Sequence, residues 1–232
     1  MSGLNIKPFV VVTGHYGTGK TNFCINLALD FAERYDTVTV VDLDIVNLYF
    51  RISDYTDLLA AHGVRVIAPV FAGTTVDTPS LSAAVFSAFE APGAVVFDVG
   101  GDDVGATALG QFRCNIEPLD YDMLYVVNRY RNLTATPAEA INLLREIERA
   151  SRLRATGIVN NSHLKAETTV ETVLDSAGFA REVADELSLP LKCTTIPQKL
   201  AKELSRKPKE EKYLENAYPV KNYVCTQWED VQ

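Results

Sequence analysis

Positive charge is in short supply in this 232-residue chain: 22 lysines and arginines stand against 30 aspartates and glutamates, a net of −8 and a pI near 5.0. Non-specific binding to nucleic acid or to an anionic lipid surface needs a positive field, so both are disfavoured. Cysteine is sparse as well. Cys24, Cys114, Cys193 and Cys225 are scattered without a CxxC pair, which fits reduced thiols in the cytoplasm rather than a disulfide framework. No apolar run approaches the ~18 residues of a membrane helix. The early run Phe9–Val12 is too short for a signal-peptide core of about 7–15 residues. Repeats and low-complexity stretches are missing too. With 47% hydrophobic and 22% charged residues, neither a disordered nor a fibrous chain is expected.

What is present is a rhythm. Short β-branched runs recur at Phe9–Thr13, Val38–Leu43, Val64–Ala68, Ala94–Val99, Met123–Asn128, Gly157–Asn160 and Lys192–Ile196. Most are nearly continuous in Val, Ile and Leu, the pattern of strands buried on both faces. Helical patterns lie between them at Thr21–Arg34, Ser80–Ala91, Pro137–Ser151 and Val170–Ser188, with Thr136 placed to cap the helix that Pro137 begins. The expectation is one α/β domain over 1–232, a mostly parallel sheet with helices on both faces. Residues 199–232 read as a mixed-charge helix, Lys199–Lys212, and a tail without a clear period.

The first run ends in Gly14-His15-Tyr16-Gly17-Thr18-Gly19-Lys20-Thr21, followed by Asn22 and a helical pattern. This is GxxxxGK(S/T), the Walker A pattern. Its glycines let successive backbone N–H groups curl around phosphates, and the helix adds its positive end. Lys20 is placed to reach the β- and γ-phosphates and the Thr21 hydroxyl to ligate Mg²⁺. The second run ends in Asp42-Leu43-Asp44 and the fourth in Asp98-Val99-Gly100-Gly101. In an open parallel sheet the carboxyl ends of strands line the ligand crevice. Acids there make sense if a cation separates them from the phosphates, with Asp98 in the Walker B position and Gly101 offering its N–H to a γ-phosphate. Neither Asn128-Arg129-Tyr130-Arg131 nor Asn160-Asn161-Ser162-His163 matches the Asn-Lys-x-Asp guanine reader, so ATP is favoured over GTP.

These motifs, in this order, resemble the MinD/ParA family of P-loop ATPases, within the group that includes the nitrogenase iron protein. The similarity covers about Phe9 to Leu200. By that resemblance Asp44 is the switch residue that positions the attacking water, Asp42 a second acid near Mg²⁺, and Asp98 the Walker B acid. It also places Asn160, with Asn161 as second choice, at the adenine, and puts Pro197 in the loop that closes over it. A slow ATPase acting as a switch on a protein client, with a nucleotide-dependent homodimer, is what the family implies. His15 stands where the family's signature lysine would be, and Gly105 where the iron protein has a cluster cysteine, so no iron–sulfur cluster is expected. A MinD-like membrane anchor is not expected at the acidic C-terminus. A second reading is an ATP-dependent transferase or ligase of the dethiobiotin synthetase or cobyric-acid amidase type, with an acceptor pocket near Tyr49, Arg51 and Asp77–Ser80. A third is a binding module that holds nucleotide without turnover.

Overall fold

In the computed structural model, described here for residues 4–44, 51–68, 83–101, 103–164, 167–204 and 216–224, one eight-stranded sheet runs in the order β3-β2-β4-β1-β5-β6-β7-β8. The strands are β1 (Phe9–Thr13), β2 (Val38–Leu43), β3 (Val64–Ile67), β4 (Ala94–Val99), β5 (Tyr121–Val127), β6 (Gly157–Asn160), β7 (Leu191–Pro197) and β8 (Ala217–Val220). Every neighbouring pair is parallel. All strand carboxyl ends therefore open on the same edge.

The continuous apolar runs now have a physical reason. Val10 and Val12 face one layer with Val40, Val96, Leu124 and Val126. Phe9 and Val11 face the other with Val41, Phe97 and Tyr125. Successive residues alternate sides, and both sides are covered. Helix α1 (Lys20–Ala32) and the short α2 (Thr56–Ala60) cover the first face through Phe23, Leu27, Phe31 and Leu59. Helices α3 (Asp103–Gln111), α5 (Pro137–Ser151) and α6 (Val170–Leu187) cover the second, the short α4 (Arg113–Ile116) lies between, and α7 (Gln198–Leu204) follows β7.

Helix α5 starts at Pro137. Its Glu139 amide donates to the Thr136 hydroxyl at 3.3 Å, and the Glu139 carboxylate accepts from the Thr136 amide at 3.0 Å, a capping box that satisfies two end donors. The expected helix at Ser80–Ala91 is a 3-10 segment over Ala83–Ala88 among the described residues. Helix α3 escapes the sequence pattern because Gly105, Ala106, Ala108 and Gly110 carry little periodic signal. Strand β8 departs furthest from the expectation of an aperiodic tail. It is four residues long and contains Pro219, a residue tolerated at a sheet edge where one N–H side faces away from the ladder. Residues 205–212 of the expected mixed-charge helix lie outside the described residues.

Candidate nucleotide and metal site

Strand β1 delivers the glycine-rich loop to the open edge of the sheet, and α1 leaves it at Lys20. Gly17 and Gly19 have φ of 74° and 85°, a backbone region that favours glycine. Gly19 is the residue before the first helical turn, and no side chain caps the N–H groups of α1. The first-turn N–H groups of a helix have no acceptor within the helix, and together with its positive end they make an arrangement able to receive an anion. The loop is braced from inside. The Thr18 hydroxyl donates to the His15 carbonyl at 2.8 Å, and the Lys20 ammonium donates to the same carbonyl at 3.1 Å.

The β2/β4 side is acidic and under-satisfied. Asp42 and Asp98 sit opposite each other in the parallel ladder, and both are buried. Asp42 Oδ1 accepts from the Asp44 amide at 3.0 Å, but Oδ2 has no hydrogen-bond partner, and neither oxygen of Asp98 has one. Burial pushes the Asp98 carboxyl up to about 7, with Lys20 pulling down and Asp42 pushing further up. Burial also raises Asp42, against the hydrogen bonds of Asp44 and Ser53. Unpartnered carboxylate oxygens at this depth are costly unless a cation meets them. Asp98, Asp42 and the Thr21 hydroxyl, which lowers the Asp98 pKa, form an oxygen donor set that fits Mg²⁺, an ion that takes few carboxylates and completes its shell with water and phosphate. Among the described residues no group of three or more His, Cys, Asp or Glu is gathered as a metal site. Cys24 is buried beside this pair and its thiol is pushed well up by burial and by Asp98, so it is an apolar filler rather than a thiolate.

Gly101 closes over the loop. A Cβ there would collide with the Tyr16 backbone and approach the His15 carbonyl carbon. Only a glycine lets the segment after β4 lie on the P-loop. His15 is half-buried with Nδ1 unpartnered, and burial together with Lys20 lowers its pKa. It is therefore neutral near pH 7 and does not replace a lysine's charge. Tyr16 at the loop tip is exposed.

On the other flank of β1 two buried asparagines have hydrogen-bond partners. Asn161 Nδ2 donates to the Thr18 carbonyl at 2.6 Å, and its Oδ1 accepts from the Thr195 hydroxyl at 2.5 Å. Asn161 thus ties the P-loop to β7. Asn160, the first sequence choice for base recognition, is buried, its Nδ2 donates to the Ser176 hydroxyl at 3.0 Å, and its Oδ1 accepts from the Ser162 amide at 3.3 Å. Both ends of its amide are hydrogen-bonded inside the fold, where they shape the loop after β6. Asn128 is likewise turned inward, accepting from the Tyr130 amide at 3.0 Å, while Arg129 pairs with Asp175 at 2.9 Å. Arg131 lies over Gly17.

An open cleft of about 450 Å³ lies beyond Asn22 at the side of α1. His163 from the loop after β6, Pro197 and Gln198 at the end of β7, and Lys221 and Asn222 after β8 line it. Pro197 is the last residue of β7. The residues after β8 were not anticipated. The available signal was the pair Asn22 and Asn26, two amides one helical turn apart on the buried face of α1. Of the acceptor pocket considered for a transferase, Arg51 is buried, while Tyr49 and Asp77–Ser80 lie outside the described residues.

No family model and no curated protein matches the chain. Solved structures do. FtsY from Mycoplasma mycoides is 17% identical, with a TM-score of 0.55 over 84% of this chain and 61% of that one. The signal recognition particle receptor FtsY from Elizabethkingia anophelis, in complex with GDP, gives 17%, 0.53, 84% and 60%. The signal recognition particle 54 kDa protein from Aeropyrum pernix K1, also with GDP, gives 14%, 0.53, 80% and 40%. The chain spans about three-fifths or less of the length of these proteins. The fold is that of the P-loop NTPases. At this identity the likeness concerns the fold alone, and these neighbours do not single out the MinD/ParA branch.

Proposed function

We propose that this chain is a Mg²⁺-dependent ATPase of the MinD/ParA type, working as a nucleotide switch on a protein partner in the cytoplasm. The observation that carries the reading is the buried Asp42–Asp98 pair beside Lys20, with Asp42 Oδ2 and both Asp98 oxygens lacking a hydrogen-bond partner. The loop amides and Lys20 would hold the β- and γ-phosphates. Thr21 and Asp98, with Asp42 behind them, would hold Mg²⁺, which supplies neutralisation of charge on the phosphate oxygens when bound. Asp44 stands one strand end away and orients the attacking water for in-line displacement at the γ-phosphate. The phosphoryl–oxygen bond to the diphosphate breaks as the water oxygen bonds to phosphorus, and Lys20 and the amides stabilise the developing charge.

Adenine is supported by what the cleft offers. Guanine presents adjacent N–H donors that a carboxylate reads best, and the described lining contains no Asp or Glu. It does contain amides, and an amide can give and take at once, as adenine requires. The exposed Tyr16 and the glycine contact between switch and loop support a nucleotide-dependent homodimer meeting across this face.

The test is phosphate release from ATP and GTP by the full chain, Lys20→Ala and Asp44→Ala. Turnover should favour ATP, fall at least about 100-fold in Lys20→Ala, and fall in Asp44→Ala without loss of ATP binding. Unchanged rates in both variants would sink the mechanism. Phosphoryl found on a small acid instead of in water would move the chain to the transferase reading.

A further inference from the structure

The C-terminal segment is fastened to the phosphate-binding helix by side chains, not only by the sheet. Asn26 faces Lys221 like a rung of a strand ladder: its Oδ1 accepts from the Lys221 amide at 2.9 Å, and its Nδ2 donates to the Lys221 carbonyl at 2.9 Å. One turn earlier, Asn22 Nδ2 donates to that same carbonyl at 3.0 Å, and its Oδ1 accepts from the Tyr223 amide at 2.8 Å. Both asparagines are buried. Two buried amides on an otherwise apolar helix face would be destabilising without these partners. Phe23 packs edge-on against Tyr218 with centroids 6.0 Å apart, so apolar contact fixes the same segment.

This fastening puts the segment at one particular place. Val220, Lys221 and Asn222 line the cleft together with Pro197, Gln198 and Lys199. Asn22, the residue after Thr21, lines it too. The volume is within the range of small-molecule sites, about 300–1,000 Å³. The lining combines apolar surface from Pro197 and Val220 with amides from Gln198 and Asn222, the mixture a flat heteroaromatic ring needs.

Resting on the nucleotide reading above, we propose that Val220–Asn222 is the specificity-determining wall of the nucleobase site, held in place by the Asn22–Asn26 clasp. Phosphates are gripped by the P-loop, and the ring is read between the end of β7 and the segment after β8. A ligand that has the phosphates but no ring should then be indifferent to the wall.

The experiment compares MgATP, MgGTP and magnesium tripolyphosphate by calorimetry on the full chain, on Asn26→Ala and on Asn222→Ala. Asn26→Ala should weaken ATP about tenfold and tripolyphosphate by less than about twofold. Asn222→Ala should narrow the ATP-to-GTP preference about fivefold with tripolyphosphate unchanged. Equal weakening of ATP and tripolyphosphate, or unchanged ATP in both variants, overturns the wall. If thermal melting shows Asn26→Ala unfolded, the exposed Asn222 position decides alone. A wild-type chain that binds tripolyphosphate without preferring any base also overturns the wall and leaves the phosphate site standing. One that binds none of the three overturns the nucleotide reading itself.

Discussion

The two flanks of β1 handle buried polarity in opposite ways. Toward β4 and β2, Asp98 and Asp42 carry carboxylate oxygens with no partner. Toward β6 and β7, Asn160 and Asn161 are as deeply buried, yet their amides are engaged with Ser176, Thr18 and Thr195. An amide carries donor and acceptor together, so a protein can satisfy it from its own side chains. A carboxylate accepts only, and two of them side by side call for a cation or a shared proton. The Asp42–Asp98 pair is thus poised to take a cation, whereas the Asn160–Asn161 pair is satisfied by the fold.

The largest expected effect breaks the acidic flank. Asp98→Asn should lower Mg²⁺-dependent ATP turnover by about 100-fold or more. The same variant should melt higher than wild type when metal and nucleotide are withheld, by roughly 2–4 °C for each kcal/mol of relieved burial cost. A lower melting point would mean that the carboxylate is satisfied by the fold itself.

pH sharpens the contrast. The Asp98 carboxyl is raised in the folded chain from 3.8 to about 7, so between those values the folded state binds the extra proton. Its contribution to metal-free stability is greatest at low pH and is lost as pH rises toward 7. The melting advantage of Asp98→Asn should accordingly grow from about pH 4 to about pH 7 and level off above. Melting curves across that range check it, and an advantage independent of pH would contradict the assignment.

On the satisfied flank, Asn161→Ala should destabilise the chain by about 1–3 kcal/mol, because it strands the Thr18 carbonyl and the Thr195 hydroxyl. ATP affinity should weaken with it, since the P-loop loses its tie to β7. The smallest functional effect is expected at Asn160→Ala. Denaturant unfolding should show a loss of about 1–3 kcal/mol, while the preference between ATP and GTP stays the same. A changed preference would return Asn160 to the base.

Much of this was legible beforehand for a physical reason. Strands buried on both faces must be apolar throughout, so β1, β2, β4, β5 and β6 show in the sequence. A phosphate cradle needs glycines, a lysine and a hydroxyl in fixed order, so residues 14–21 show too. Helix α3 and strand β8 did not, because small residues and a proline at an edge leave no period to read. At Asn160 residue type gives chemistry without direction. Its neighbour Asn161, one position on, points to the loop while Asn160 points to Ser176.

Composition and motif order by themselves determined an acidic α/β chain with a P-loop, because backbone curvature and burial periodicity are local properties. Tertiary structure alone decided that Asp42 lies opposite Asp98, that Gly101 rests on Tyr16, and that Asn22 and Asn26 clasp residues nearly 200 positions away. Those pairings depend on strand order and on which way each side chain leaves its element, and neither is written in the spacing of residues along the chain.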